Sequence, residues 1–190
     1  MGLTLIASVS ADEPGTGSGE ATLSFLDGSN GVVFDNTYDE YQFQFVNMHP
    51  EDDNANFVFQ VNAADGADFN ETMTTTGWYA YNRNTAGASN LTYDANVDQA
   101  QEAGYQWILA YDVANDTEGS VSGILTLYDP SSTTFVKHFT AVGQGIAYGT
   151  YSVNMYHDGY INTTNAIDEI SFKFDDGDID DGTIYMYGVS

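Results

Sequence analysis

Apolar and polar residues alternate along most of this chain with a period of two. In residues 41–47, Tyr41, Phe43, Phe45 and Val46 interleave with Gln42, Gln44 and Asn47. In residues 56–61, Phe57, Phe59 and Val61 share one face. Successive side chains of an extended strand point to opposite faces, so this spacing predicts half-buried β-strands. Residues 123–128 and 151–156 follow the same rule. In Ile167–Phe174, Ile170, Phe172 and Phe174 oppose Lys173, and in residues 183–189, Ile184, Met186 and Gly188 oppose Tyr185, Tyr187 and Val189. Shorter candidates lie at 3–9, 21–26, 71–75, 106–111 and 134–142. The total is about ten strands, punctuated by Gly, Asn and Asp turn clusters.

Helical patterning is nearly absent. Residues 94–103 hold helix formers but only Val97 as a large apolar residue, which predicts at most a short surface turn or helix. Residues 11–20 carry Pro14 and three glycines. We therefore expect an N-terminal strand and flexible arm over residues 1–20 and one domain over 21–190, with the first strand free to add to a neighbouring copy's sheet. Many short strands without helices between them predict an all-β fold, an antiparallel β-sandwich of the jelly-roll kind.

Charge changes the picture of partners. Asp and Glu number 28 against three Lys and Arg, for a net charge of -25. Such a surface repels nucleic acid and anionic lipid, and its self-repulsion is relieved by salt. Apolar residues make up 42% of the chain, enough for a core and unlike a disordered acidic tail. Cys is absent, which excludes disulfides and thiolate metal sites. The opening Met1-Gly2-Leu3-Thr4-Leu5-Ile6 has neither the charge nor the apolar run of a signal peptide or membrane anchor, so no membrane insertion is expected.

Candidate chemistry is sparse. His49, His138 and His157 form no short-spaced pair, and His157 opens the turn-like His157-Asp158-Gly159. No nucleophile elbow and no phosphate loop with a Lys occurs. Carboxylate pairs at glycosidase spacing carry no signal in so acidic a chain. The chain is expected not to be an enzyme and to need no cofactor. Asp176, Asp178 and Asp180 are spaced like the first ligands of a calcium loop, but Asp181 stands where the loop needs Gly and Tyr187 where it needs Glu. A hairpin turn between two strands is the preferred reading, with Ca²⁺ as its rival. In residues 78–84, Trp78, Tyr81, Asn82 and Arg83 combine rings, amides and the sole Arg, a mixture suited to stacking on sugar and bonding hydroxyls. The competing reading is core aromatics leading into a polar loop, with Trp78 the residue expected to reach the core.

Several segments together resemble a known group. They are Tyr38-Asp39-Glu40-Tyr41-Gln42-Phe43, Asn47-Met48-His49-Pro50 and Asp53-Asn54-Ala55-Asn56-Phe57. Val121-Ser122-Gly123-Ile124-Leu125-Thr126-Leu127-Tyr128 with Pro130-Ser131-Ser132 adds to them, as do Gly159-Tyr160-Ile161-Asn162-Thr163-Thr164 and Ala166-Ile167-Asp168. The chain closes on Gly182-Thr183-Ile184-Tyr185-Met186-Tyr187-Gly188. This pattern, over roughly residues 35–190, resembles short virion structural proteins of tailed phages of marine bacteria and cyanobacteria. The resemblance implies a particle-exterior protein made in the host cytoplasm and released by lysis. It implies contact with other virion proteins, a homo-oligomer with a trimer favoured, and host surface glycan as a partner. It supplies no catalytic residues. A tail-fibre or tail-apparatus module with a host-attachment role is the leading expectation. A capsid decoration (cement) protein is the alternative, and a secreted carbohydrate-binding or hydrolytic sandwich comes third.

Overall fold

The computed structural model describes residues 2–11, 19–64, 66–85 and 87–190. The strands are β1 (Leu3–Ser10), β2 (Leu23–Leu26), β3 (Glu40–Pro50), β4 (Ala55–Ala63), β5 (Met73–Arg83), β6 (Ser89–Tyr93) and β7 (Ala100–Glu102). They continue with β8 (Gln106–Val113), β9 (Val121–Tyr128), β10 (Lys137–Ala147), β11 (Tyr151–Ile161), β12 (Ile167–Phe174) and β13 (Ile179–Val189). One turn of 3₁₀ helix, Ala95–Val97, is capped by the Asp94 side chain and fills the place of the predicted short helix. The expected flexible link at 12–18 lies outside the described residues.

All pairings are antiparallel. Two runs of four strands carry the topology: β1-β13-β3-β9 in one layer and β2-β12-β4-β8 in the other. Each step β1→β2, β2→β3, β3→β4, β8→β9 and β12→β13 crosses between layers, which is the winding of a jelly roll. The first layer is then widened by β10, β11 and β5, with β6 and β7 side by side on the far edge of β5. The layers meet at both sides. Ala147 at the end of β10 pairs with Val113 of β8, and Glu20 bridges to Ile179. The result is a sandwich that nearly closes into a barrel.

The period-two pattern sends phenylalanines into the gap between the layers. Phe43 meets Phe172 at 5.6 Å between ring centroids, Phe45 meets Phe57 at 5.3 Å and Phe59 meets Phe139 at 4.9 Å. All six rings are buried, and burial of each contributes about 2–3 kcal/mol. Tyr41 is also buried and keeps its hydroxyl partnered: it donates to the Asp35 carbonyl at 3.0 Å and accepts from the Asp35 N–H at 3.2 Å. Burial pushes its phenol up to about 12.

One element differs from expectation. The acidic segment between β12 and β13 is not a hairpin turn. β12 pairs with β4 and β2, while β13 pairs with β1 and β3, so the segment crosses between layers. Alternation marks both strands but is silent about which partners they choose. The N-terminal strand lies along β13 of its own chain, from Leu3 opposite Val189 to Ser10 opposite Thr183, with a bulge between Leu5 and Ala7.

Candidate binding face on the large sheet

The two outer faces of the sandwich are treated differently. On the smaller layer, Val58, Gln60 and Asn62 point away from the core yet are buried. The Gln60 amide donates to the carbonyls of Glu71, Ala103 and Gly104 at 3.1, 3.1 and 2.9 Å, so two loops are strapped across that face. Among the described residues, the larger layer has no such cover across β9, β10, β11 and β5, where outward side chains are half-buried or exposed along most of each strand.

Register aligns these side chains in rows. One row runs Gln44, Ile124, Val142, Tyr156, Trp78 and Tyr93 across β3, β9, β10, β11, β5 and β6. Tyr156 and Trp78 are stacked, with centroids 5.0 Å apart and planes 6° from parallel, and they are 40% and 39% exposed. The next row is Gln42, Thr126, Thr140, Asp158 and Thr76, and the one after is Glu40, Tyr128, His138, Tyr160 and Thr74. In a chain with 28 acids, these rows hold two carboxylates, Glu40 at one border and Asp158 in the middle. A solvated sheet face needs no such exclusion of charge. Its aromatic and hydroxyl side chains suit β-propensity, but propensity does not explain so few carboxylates on one face of so acidic a protein.

Asp158 sits between Thr140 and Thr76 across the strands, with Tyr156 and Tyr160 two residues away on its own strand. Around it is a shallow depression of ≈ 510 Å³ lined by Thr74, Thr76, His138, Thr140, Asp158 and Tyr160, with the inward Thr75, Phe139 and Gly159 completing the lining. Partial burial holds the Asp158 carboxyl above its ordinary value, and no hydrogen bond to its side chain relieves that among the described residues. It is an acceptor partly stripped of water and left without a donor.

The residues singled out in the sequence are all on β5, and its alternation divides them. Trp78 and Asn82 point outward beside Tyr156 and Ser152. Tyr81 points to the other face, in a cluster with Tyr79, Tyr111 and Tyr151 at 6.1, 5.9 and 5.6 Å. The Arg83 guanidinium lies 5.2 Å above the Tyr151 ring on that side. The four do not form one contact surface, and Trp78, which the competing reading put in the core, is outside it. Asp158, Tyr156 and Tyr160 escaped notice because His157-Asp158-Gly159 has the composition of a turn. In fact β11 runs straight through it to Ile161. Buried His157 faces the carbonyls of Trp107 and Val97, the latter at 3.3 Å, and burial lowers its pKa.

Asp176 and Asp178 lie in the β12–β13 crossover and Asp180 lies on β13. The Asp178 N–H donates to the Glu51 carboxylate at 3.2 Å, and neighbouring Asp175 accepts from the Asn56 backbone and amide at 2.7 and 2.9 Å. Among the described residues, no three His, Asp or Glu side chains converge as a metal site would require. A polar cleft of ≈ 510 Å³ at the β3 end is lined by Asn47, His49, Asn115, Glu118 and Asp181, among others. There the His49 ring is already engaged with the Gly119 carbonyl. No described helix is long and apolar enough to cross a membrane.

No family model, curated sequence or solved structure matches the chain.

Proposed function

We propose that this chain is a non-enzymatic structural protein of a phage virion, displayed on the particle exterior as part of the tail fibre or tail apparatus. In this reading it attaches to the host surface through the outer face of its large sheet. The observation that carries the attachment role is that aromatic face, bearing only Glu40 and Asp158 among its carboxylates, on a protein of net charge -25. A protein that had only to stay soluble in salt water would spread its carboxylates over every bare surface. Keeping them off one face reserves it for contact. Membership of a virion rests on the sequence resemblance over roughly residues 35–190, and a jelly roll suits it as a compact building block. Neutral glycan, other virion proteins and further copies of the chain, with a trimer favoured, are the partners this reading implies. Nucleic acid is excluded from the scheme by charge. Neither a metal nor a cofactor has a part in it.

The test is gold-labelled antibody, raised against the purified chain, applied to intact phage particles. Label at the tail is the expected result. Label spread over the head would replace the attachment role with capsid decoration, and particles without label would overturn the virion reading.

A further inference from the structure

We propose that the depression centred on Asp158 is a binding subsite for a neutral saccharide, a proposal that rests on the attachment reading of the same face. Four features of the site carry it. The Asp158 carboxyl is half-buried without a hydrogen-bond donor among the described residues, so a ligand bringing hydroxyl groups gives it what they do not. Hydroxyl-to-carboxylate bonds are charge-assisted and roughly twice as strong as neutral ones. Thr140 and Thr76 flank it directly across the strands and offer further hydroxyls at the level of the ligand. Tyr160 lines the depression, and the partly exposed Tyr156–Trp78 pair, one row along the sheet, offers apolar ring surface beside it for the C–H groups of a sugar.

Size and charge narrow the ligand. Tyr156 and Tyr160 are four residues apart on one strand, about 13 Å, so the platform is wide enough for a short run of sugar rings rather than one small group. An ammonium or guanidinium group would satisfy the carboxylate but leave most of the ≈ 510 Å³ and both aromatic platforms idle. An anionic glycan would meet Asp158 and a net charge of -25. A neutral, hydroxyl-rich chain is the chemistry that uses every part. Each site would bind weakly, with avidity supplied by repeated copies on a particle.

Asp158 also yields a signature that a merely structural residue would not. Its charge is partly desolvated and has no partner among the described residues, so removing that charge relieves the fold while weakening the site. The experiment titrates the full chain with neutral gluco-, galacto- and manno-hexaoses, following tryptophan fluorescence and heat, alongside melting curves. Wild type is expected to bind at least one of them. Asp158→Ala should weaken that binding about tenfold or more, and Asp158→Asn less. Asp158→Asn should also raise the melting temperature by about 2 °C. Tyr160→Ala should weaken binding with little change in melting, and Tyr148→Ala, in the exposed β10–β11 turn at the far end of both strands, should change neither. No binding of any hexaose by wild type overturns the proposal, as does binding that survives Asp158→Ala. So does a lysine-rich peptide held in high salt and lost on Asp158→Ala while no hexaose binds. Gold on virions with no hexaose binding removes the subsite alone. Hexaose binding with unlabelled virions removes the virion reading alone.

Discussion

Two buried polar side chains do much to shape this fold, and each makes a separate prediction. Gln60 is entirely buried and its amide serves three loop carbonyls. Gln60→Leu fits the space but leaves those carbonyls without their donor, at a cost of about 2–3 kcal/mol in urea unfolding. Gln60→Glu should cost more, because a carboxylate would face the same carbonyls. His157 is buried against two carbonyls, and burial lowers its pKa below the ordinary 6.5. Below about pH 6.5 the unfolded chain therefore takes up a proton that the folded chain refuses, and folding stability falls as pH drops. The contribution is intact above pH 6.5 and erodes by at most about 1.4 kcal/mol per pH unit. His157→Gln removes this term. Its stability deficit against wild type should narrow between pH 7 and pH 5.5 in thermal melts, and a constant gap would refute the assignment.

The strands themselves were legible where alternation was strong. Ile167–Phe174 is found as expected, and the strands expected at 41–47, 56–61 and 151–156 are found longer than expected. A strand was expected only at 71–75, with 78–84 read as a ring cluster or polar loop, whereas β5 runs through Gly77 to Arg83. A Cβ at Gly77 would sit 2.8 Å from the Tyr156 carbonyl oxygen, so the glycine permits close approach of two strands and breaks nothing. β6, with exposed Leu91 and Tyr93, was missed because an edge strand of this kind has no buried side to create alternation. The candidate site was half legible. Trp78 is on it, but Tyr156, Asp158 and Tyr160 are brought beside β5 by pairing that no local pattern announces. The division of β5 by face decides which substitutions disturb packing. Tyr81→Ala removes a ring from a packed cluster and should lower stability by about 1–3 kcal/mol, whereas Trp78→Ala, at a 39% exposed position, should cost less. Edge strand β1 is exposed along much of its length, with Ile6, Ala7 and Val9 only partly packed on the core. Deleting residues 1–20 should leave a folded body of lower melting temperature whose bared β13 edge drives self-association, visible by size-exclusion chromatography. A truncated chain that stays monomeric would show that β13 needs no cover.

At the scale of the whole molecule, charge is the dominant unbalanced quantity. The three cations give little relief from it. Arg83 lies over Tyr151, Lys173 lies 5.1 Å from the Tyr105 ring centre, and buried Lys137 donates to the carbonyls of Asn165 and Thr163. Burial also lowers the Lys137 pKa. The carboxylates kept off the large sheet face are concentrated elsewhere, as where Glu51 and Asp52 meet Asp178 and Gly177 of the β12–β13 crossover. Repulsion between such groups acts over about 30 Å at 0.01 M salt and about 3 Å at 1 M. The folded state holds them closer together than the unfolded chain does, so screening favours folding. Melting temperature should therefore climb with NaCl over that range, by about 5 °C or more, corresponding to a gain of about 2 kcal/mol for a domain of this size. Neutral sucrose at matched water activity should not reproduce the steep part of the rise at low salt, since it does not screen charge. CaCl₂ at equal ionic strength should match NaCl, because no carboxylate trio converges among the described residues. A flat curve in NaCl would mean that the acids are already compensated by their spacing. A further gain with CaCl₂ that disappears in Asp178→Asn would restore the calcium reading of the crossover.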